Sequence, residues 1–284
     1  MALNLKPYSD KHAIKNVVFA LEFSQPVQSD FLRSIREGKV SEQLEKELPR
    51  VIEQKSLVFN FANFGTNLNV PVGGTPQPLG GISYDRLRPN GEAEWAVTIN
   101  QMMILVTCGQ YSRWAGIWPQ LKSFLLALLP DVLTVTSIGV VGLQYLDEFS
   151  SIVRKEDFTL GDLFVANSEF LPSNLVKSRG QCHSHHGYFE DVEQPVSGKI
   201  LTNINVDVVE QPSRMVVAIT GSHRCTPVTP LAGMVAEELL RDDGIVTRIW
   251  EKLHQCNKRI LGDILTPEVK ALISFDTPQH NNGG

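Results

Sequence analysis

Cysteine is scarce in this chain. Four occur in 284 residues, at Cys108, Cys182, Cys225 and Cys256, with no spacing that would staple a small secreted scaffold. In a reducing compartment they are expected to be free thiols. Charge of one sign is also thin: Lys and Arg number 26 against 31 Asp and Glu, a formal net charge of −5, and no run of five or six like charges occurs. That argues against a phosphate-neutralising surface, so nucleic acid is not the expected partner. Long apolar runs are missing as well. The most hydrophobic stretch, residues 121–146, is broken by Pro130, Asp131 and Gly139 into pieces too short to cross a bilayer, and no transmembrane segment is expected. The opening residues carry no apolar core of signal-peptide length, which makes a cytoplasmic location the expectation.

Catalytic signatures are absent in the same way. No Gly-x-Ser-x-Gly elbow is present, and Gly221-Ser222-His223 sets serine and histidine side by side, where a strand would point them to opposite faces. Cys182 has a histidine neighbour, but adjacency in sequence does not create the spatial pair that thiol catalysis needs. Dinucleotide fingerprints are missing. The stretch 63–91 is rich in Gly, Pro and Asn, yet Pro76 and Pro78 remove backbone donors and no Gly-Lys-Ser/Thr follows, so it reads as a long surface hairpin loop rather than a phosphate cradle. No cofactor is expected.

What the chain does have is pattern. With 42% hydrophobic residues it can bury a substantial core. Strands are predicted at 16–23, 56–62, 94–99, 102–108, 132–146, 199–209 and 215–220, the clearest being 199–209. There Ile200, Ile204, Val206 and Val208 share one side while Asn203, Asn205 and Asp207 share the other. Helices are predicted after Ser41, from Tyr111 to a stop at Pro130, from Asp243 to a stop at Gly262, and after Thr266-Pro267. A short helix is expected at 157–164 and a disordered tail at 279–284. Strands followed by a helix, twice over, predict an α+β protein of two antiparallel-sheet units each packed by an amphipathic helix. The expected domains are 1–150 and 151–284, the second ending in a long helix.

Three groups of residues compete as sites. Gln181-Cys182-His183-Ser184-His185-His186 is the one place where potential metal ligands crowd together, and Cys182, His183, His185 and His186 are the candidate ligands. On a strand, however, His183 and His185 would face away from Cys182 and His186. Tyr111 and Trp114 open a helix whose face continues through Trp118, Leu121, Leu125 and Leu128, which suits a core and, alternatively, a protein-binding ridge. The polar side of 199–209, Asn203, Asn205 and Asp207, is the other candidate partner surface. Arg248, Lys252, Lys258 and Arg259 cluster on the last long helix and read as its solvated face.

Three segments carry a family resemblance: Tyr111-Ser112-Arg113-Trp114 with the helix behind it, residues 138–147 (Ile-Gly-Val-Val-Gly-Leu-Gln-Tyr-Leu-Asp), and Leu253-His254 leading to Leu265-Thr266-Pro267-Glu268. The chain resembles a sporadically distributed, uncharacterised bacterial family with a Tyr-x-x-Trp helix and a Gly-Leu-Arg-Tyr-Ile-Asn strand. It departs from that pattern at Gln144, where the family has Arg, and at Asp147, where it has Asn. The resemblance implies a part in conflict with phages or other mobile elements. The function expected from the whole reading is a non-catalytic recognition or adaptor protein, a sensor component of an anti-phage defence system. Its expected partner is a protein encoded by a neighbouring gene, with a homo-oligomer left open. Two alternatives stand beside it: a metal-dependent enzyme or metal-stabilised protein using 182–186, and a carrier of an apolar small molecule or lipid held between a helix and its sheet.

Overall fold

Period-two alternation shapes most of the molecule. In β2 (Ile14–Phe23), Val17, Phe19, Leu21 and Phe23 are buried while Asn16, Val18, Ala20 and Glu22 are only partly covered. The same alternation marks β5 (Ala93–Asn100), β6 (Met103–Cys108) and β9 (Gly198–Glu210), as expected of strands with one face on a core and one open. The computed structural model describes residues 4–10, 12–55, 78–153, 157–178 and 180–275. The remaining strands are β1 (Leu5–Pro7), β3 (Arg50–Lys55), β4 (Leu79–Leu87), β7 (Ile138–Ser151), β8 (Cys182–Val192) and β10 (Met215–Pro227).

All of these strands belong to one ten-stranded antiparallel sheet, in the order β3-β4-β5-β6-β2-β7-β10-β9-β8, with β1 continuing the line of β2 along β7. The expected α+β class holds, but the two expected sheet units are drawn into this single sheet. The reason is β7. Its fourteen residues pair with β2 on one edge and β10 on the other, so the boundary placed at residue 150 falls inside a strand that bonds to both halves.

The helices α1 (Ser29–Glu37), α2 (Lys39–Glu45), α3 (Trp114–Val132), α4 (Ala236–Leu239), α5 (Ile245–Ile264) and α6 (Pro267–Leu272) cover one face of the sheet. α1 lies on β4, α3 on β6, and α5 across β7 and β10. Trp118 of α3 meets Trp250 of α5 edge to face, and Phe19 from β2 packs beneath both helices. Leu160, Leu163, Phe164 and Leu175, from the connection after β7, close the same layer over the end of α5. Among the described residues no element covers the opposite face. No helix among them is long and apolar enough to cross a membrane.

Several boundaries differ from expectation for identifiable reasons. α3 runs through Pro130 to Val132, because a proline in the last turn forfeits one bond and Leu133 N–H still reaches the Leu129 carbonyl at 2.9 Å. α5 passes Gly262 and ends at Ile264, where Val165 N–H bonds the Ile264 carbonyl and Thr266 N–H bonds the Leu163 carbonyl, pulling the chain into extended form. Thr266 then caps α6 by accepting from Val269 N–H, with Pro267 in its first turn. Within the span 157–164 expected as a helix, a 3-10 turn forms at Leu160–Asp162 and no α-helix does. Residues 79–87 of the stretch expected as a loop form β4, an interior strand of the sheet. The rest of that stretch up to residue 77, the strand expected at 56–62 and the tail at 279–284 lie outside the described residues.

Candidate functional site

The register of β7 sends Leu143, Tyr145, Asp147 and Phe149 toward the helices, so a carboxyl is aimed at the core in a row of apolar side chains. α5 crosses above that row. Between α5, the segment before β2 and the start of α3 lies a cavity of about 700 Å³. Of its lining, buried Tyr111, Tyr145, Asp147 and Asn257 with half-buried His12, Trp114 and His254 make the inner wall, and exposed Arg113, Arg248, Glu251 and Lys252 with half-buried Lys258 stand toward solvent at its opening. The volume suits a metabolite-sized ligand.

Asp147 is 3% exposed, and among the described residues nothing donates a hydrogen bond to its carboxyl. Burial pushes its pKa up to about 7. Its charge is close enough to Tyr111 and Tyr145 to reinforce the upward shifts that burial imposes on both phenols. Tyr145 therefore keeps its proton, and its hydroxyl lies 2.8 Å from His254 Nδ1. Burial, helped by the charge of Lys258, lowers His254 to about 4, so the ring is neutral at pH 7 and stacks flat on Trp114 at 4.6 Å and 9°. His12 adds a second imidazole, lowered by burial. Its Nε2–H donates to the Tyr111 carbonyl at 2.8 Å, which leaves buried Nδ1 as an acceptor without a partner among the described residues.

Beneath the cavity α5 is anchored by polar contacts. Fully buried His223 bridges Thr202 at 3.0 Å and Asn257 at 3.2 Å, and burial lowers it to about 4. The Asn257 oxygen accepts from Nε2–H, so Nδ1 accepts from the Thr202 hydroxyl, and one neutral tautomer satisfies both bonds. Gly221 makes room for this network, since a Cβ there would lie 2.2 Å from Asn257 Oδ1. Trp250 Nε1–H donates to the Gly142 carbonyl at 2.8 Å. At the cavity opening Arg113 holds φ 154° and ψ 160°, a region populated essentially by glycine and strained for any other residue.

The structure separates the residues singled out from sequence. Tyr111 and Trp114 line the cavity. Asn203, Asn205 and Asp207 lie on the face of the sheet away from the helices, where Asn205 Oδ1 is buried with no partner among the described residues and Asp207 Oδ1 sits 2.6 Å from His183 Nδ1. Cys182, His183, His185 and His186 occupy edge strand β8, and alternation turns His183 and His185 to the open face while Cys182 and His186 follow Ser184 toward the helix side. Among the described residues no group of three or more His, Cys, Asp or Glu is placed to hold a metal ion. Of the basic patch on α5, Arg259 pairs with Glu190, but Arg248, Lys252 and Lys258 surround the cavity opening instead of only facing solvent.

No family model matches the chain, and a search of the curated proteins finds none similar to it. Three segments far apart in the sequence meet in space: Tyr111 and Trp114, Tyr145 and Asp147, and His254 all line this cavity. The sequence offers Tyr111 and Trp114 as a core face or a protein-binding ridge, and it does not single out His12, Arg113, Tyr145, Asp147, His254 or Asn257 as site residues. One signal was available. Extending the alternation of β7 beyond Tyr145 places an acid where an apolar residue is due.

Proposed function

We propose that the protein is a recognition protein whose working site is this cavity, and that it holds a small molecule there through a protonated amine seated on Asp147. The observation that carries the reading is the Asp147 carboxyl itself, 3% exposed on the cavity wall with no donor and no countercharge among the described residues. A buried carboxylate left unpaired is costly, and asparagine or an apolar residue would fill the same space without that penalty. An ammonium supplies both the charge and the N–H donors that the site lacks, and the neighbouring Tyr111 and Tyr145 rings favour a cation further. The polar wall makes this a different pocket from one for a lipid or purely apolar guest, although the location between helix and sheet is the one expected for a carrier. In the setting that the family resemblance implies, such a protein would serve as a sensing component and pass ligand binding to a partner protein.

Calorimetric titration with butylamine and phenethylamine at pH 7.5 tests the reading. Wild type is expected to bind at least one of them, and Asp147→Asn is expected to bind neither. Equal affinity in the variant, or no binding by wild type, would overturn the assignment.

A further inference from the structure

The opening of the cavity has the sign opposite to its interior. Arg113 precedes α3, Arg248, Lys252 and Lys258 stand on α5, and Glu251 is the one carboxylate among them. None of these four cations forms an ion pair among the described residues, whereas Lys15, Arg36, Arg50, Arg86, Arg224 and Arg259 each do. Lys258 instead lies over the Phe275 ring at 5.6 Å. Arg248 and Lys252 are one helical turn apart, where like charges repel, and they do so in a chain whose net charge is −5. Such a cluster raises the local concentration of anions. A ligand carrying only an amine would have to pass four positive charges, and one carrying only an anion would end against Asp147.

We infer that the ligand is a zwitterion, its ammonium on Asp147 and a carboxylate or phosphate held at the opening by Arg113, Arg248 and Lys252. The inference rests on the amine reading above and adds the second half of the molecule. Arg113 gains a reason for its strained backbone in the same arrangement, because that conformation places a guanidinium beside the start of α3 at the opening.

The test is a ladder of probes. The ω-amino acids from glycine upward, the matching aminoalkyl phosphates beginning with O-phosphoethanolamine, and the plain alkylamines of equal length are titrated into wild type and Arg248→Gln/Lys252→Gln. The expected result is one chain length at which a zwitterion binds at least tenfold tighter than its amine, with that margin lost in the double variant through weaker zwitterion binding, while the amine binds no more weakly than before. Preference between the two zwitterion series identifies the anion. Amines binding as tightly as zwitterions at every length, or a margin unchanged in the double variant, would overturn the zwitterion and leave the Asp147 site standing. No binding by any amine or zwitterion would remove both.

Discussion

Replacing Asp147 by asparagine should stabilise the protein, and by an amount that depends on pH in one direction. The Asp147 carboxyl is held at about 7, against an ordinary value of 3.8 that it regains on unfolding. Because the folded state binds this proton more tightly, the contribution to stability is complete below pH 3.8 and is lost as the pH rises to about 7. At about 1.4 kcal/mol for each tenfold change in proton affinity, the full loss is about 4 kcal/mol, of which about 2 kcal/mol falls between pH 5 and pH 7. His223 works in the opposite sense. Its folded pKa is lowered to about 4, so the stability it contributes is present above pH 6.5 and is lost as the pH falls toward 4. The two trends overlap in wild type, but only the Asp147 component differs in Asp147→Asn. Urea unfolding of both proteins at pH 5, 6, 7 and 8 isolates it. The variant's advantage is expected to grow by about 2 kcal/mol from pH 5 to pH 7 and then level off. A difference that stays constant across the series would refute the claim that this carboxyl is desolvated without a partner.

Gly221→Ala should lose about 1–3 kcal/mol in urea unfolding, because the new Cβ would lie 2.2 Å from Asn257 Oδ1 and push it off buried His223. An unchanged midpoint would mean that α5 does not sit this close to β10. Trp250→Phe, which leaves the Gly142 carbonyl without its donor, should cost about 1–3 kcal/mol by the same measurement. Arg113→Gly should gain about 1 kcal/mol by releasing backbone strain while weakening zwitterion binding, and a loss of stability would show that φ 154° is not strained here.

Much of the sheet was legible because its strands bury one face. Alternation along Ile200, Ile204, Val206 and Val208 led to β9, and the strand expected at 215–220 is the first half of its partner β10. β4 was hidden because Gly80 and Gly81 add no side chains to a pattern, and a glycine-rich run in an interior strand resembles a loop. The joining of the halves was not readable either. β2 pairs with β7 across more than a hundred residues of chain, and Phe19 opposite Leu143 is one of many equally apolar pairings that the sequence allows. The cavity was illegible for the same reason. His12, Tyr111, Asp147 and His254 come from four distant segments, and only the sheet register together with the placement of α5 brings them to one space. The metal candidates at 182–186 show the converse, because crowding in sequence became separation in space once the segment formed a strand.

The most direct measurement of the central claim is the titration of Asp147 itself, by carbon-detected nuclear magnetic resonance on protein labelled at its aspartate carboxyls, with Asp147→Asn to assign the signal. Without ligand the carboxyl should titrate near 7, and at saturating amine or zwitterion its midpoint should fall by at least one pH unit as the bound ammonium holds the charged form. A midpoint near 3.8 in the free protein, or one that does not move when the probe binds, would contradict the account.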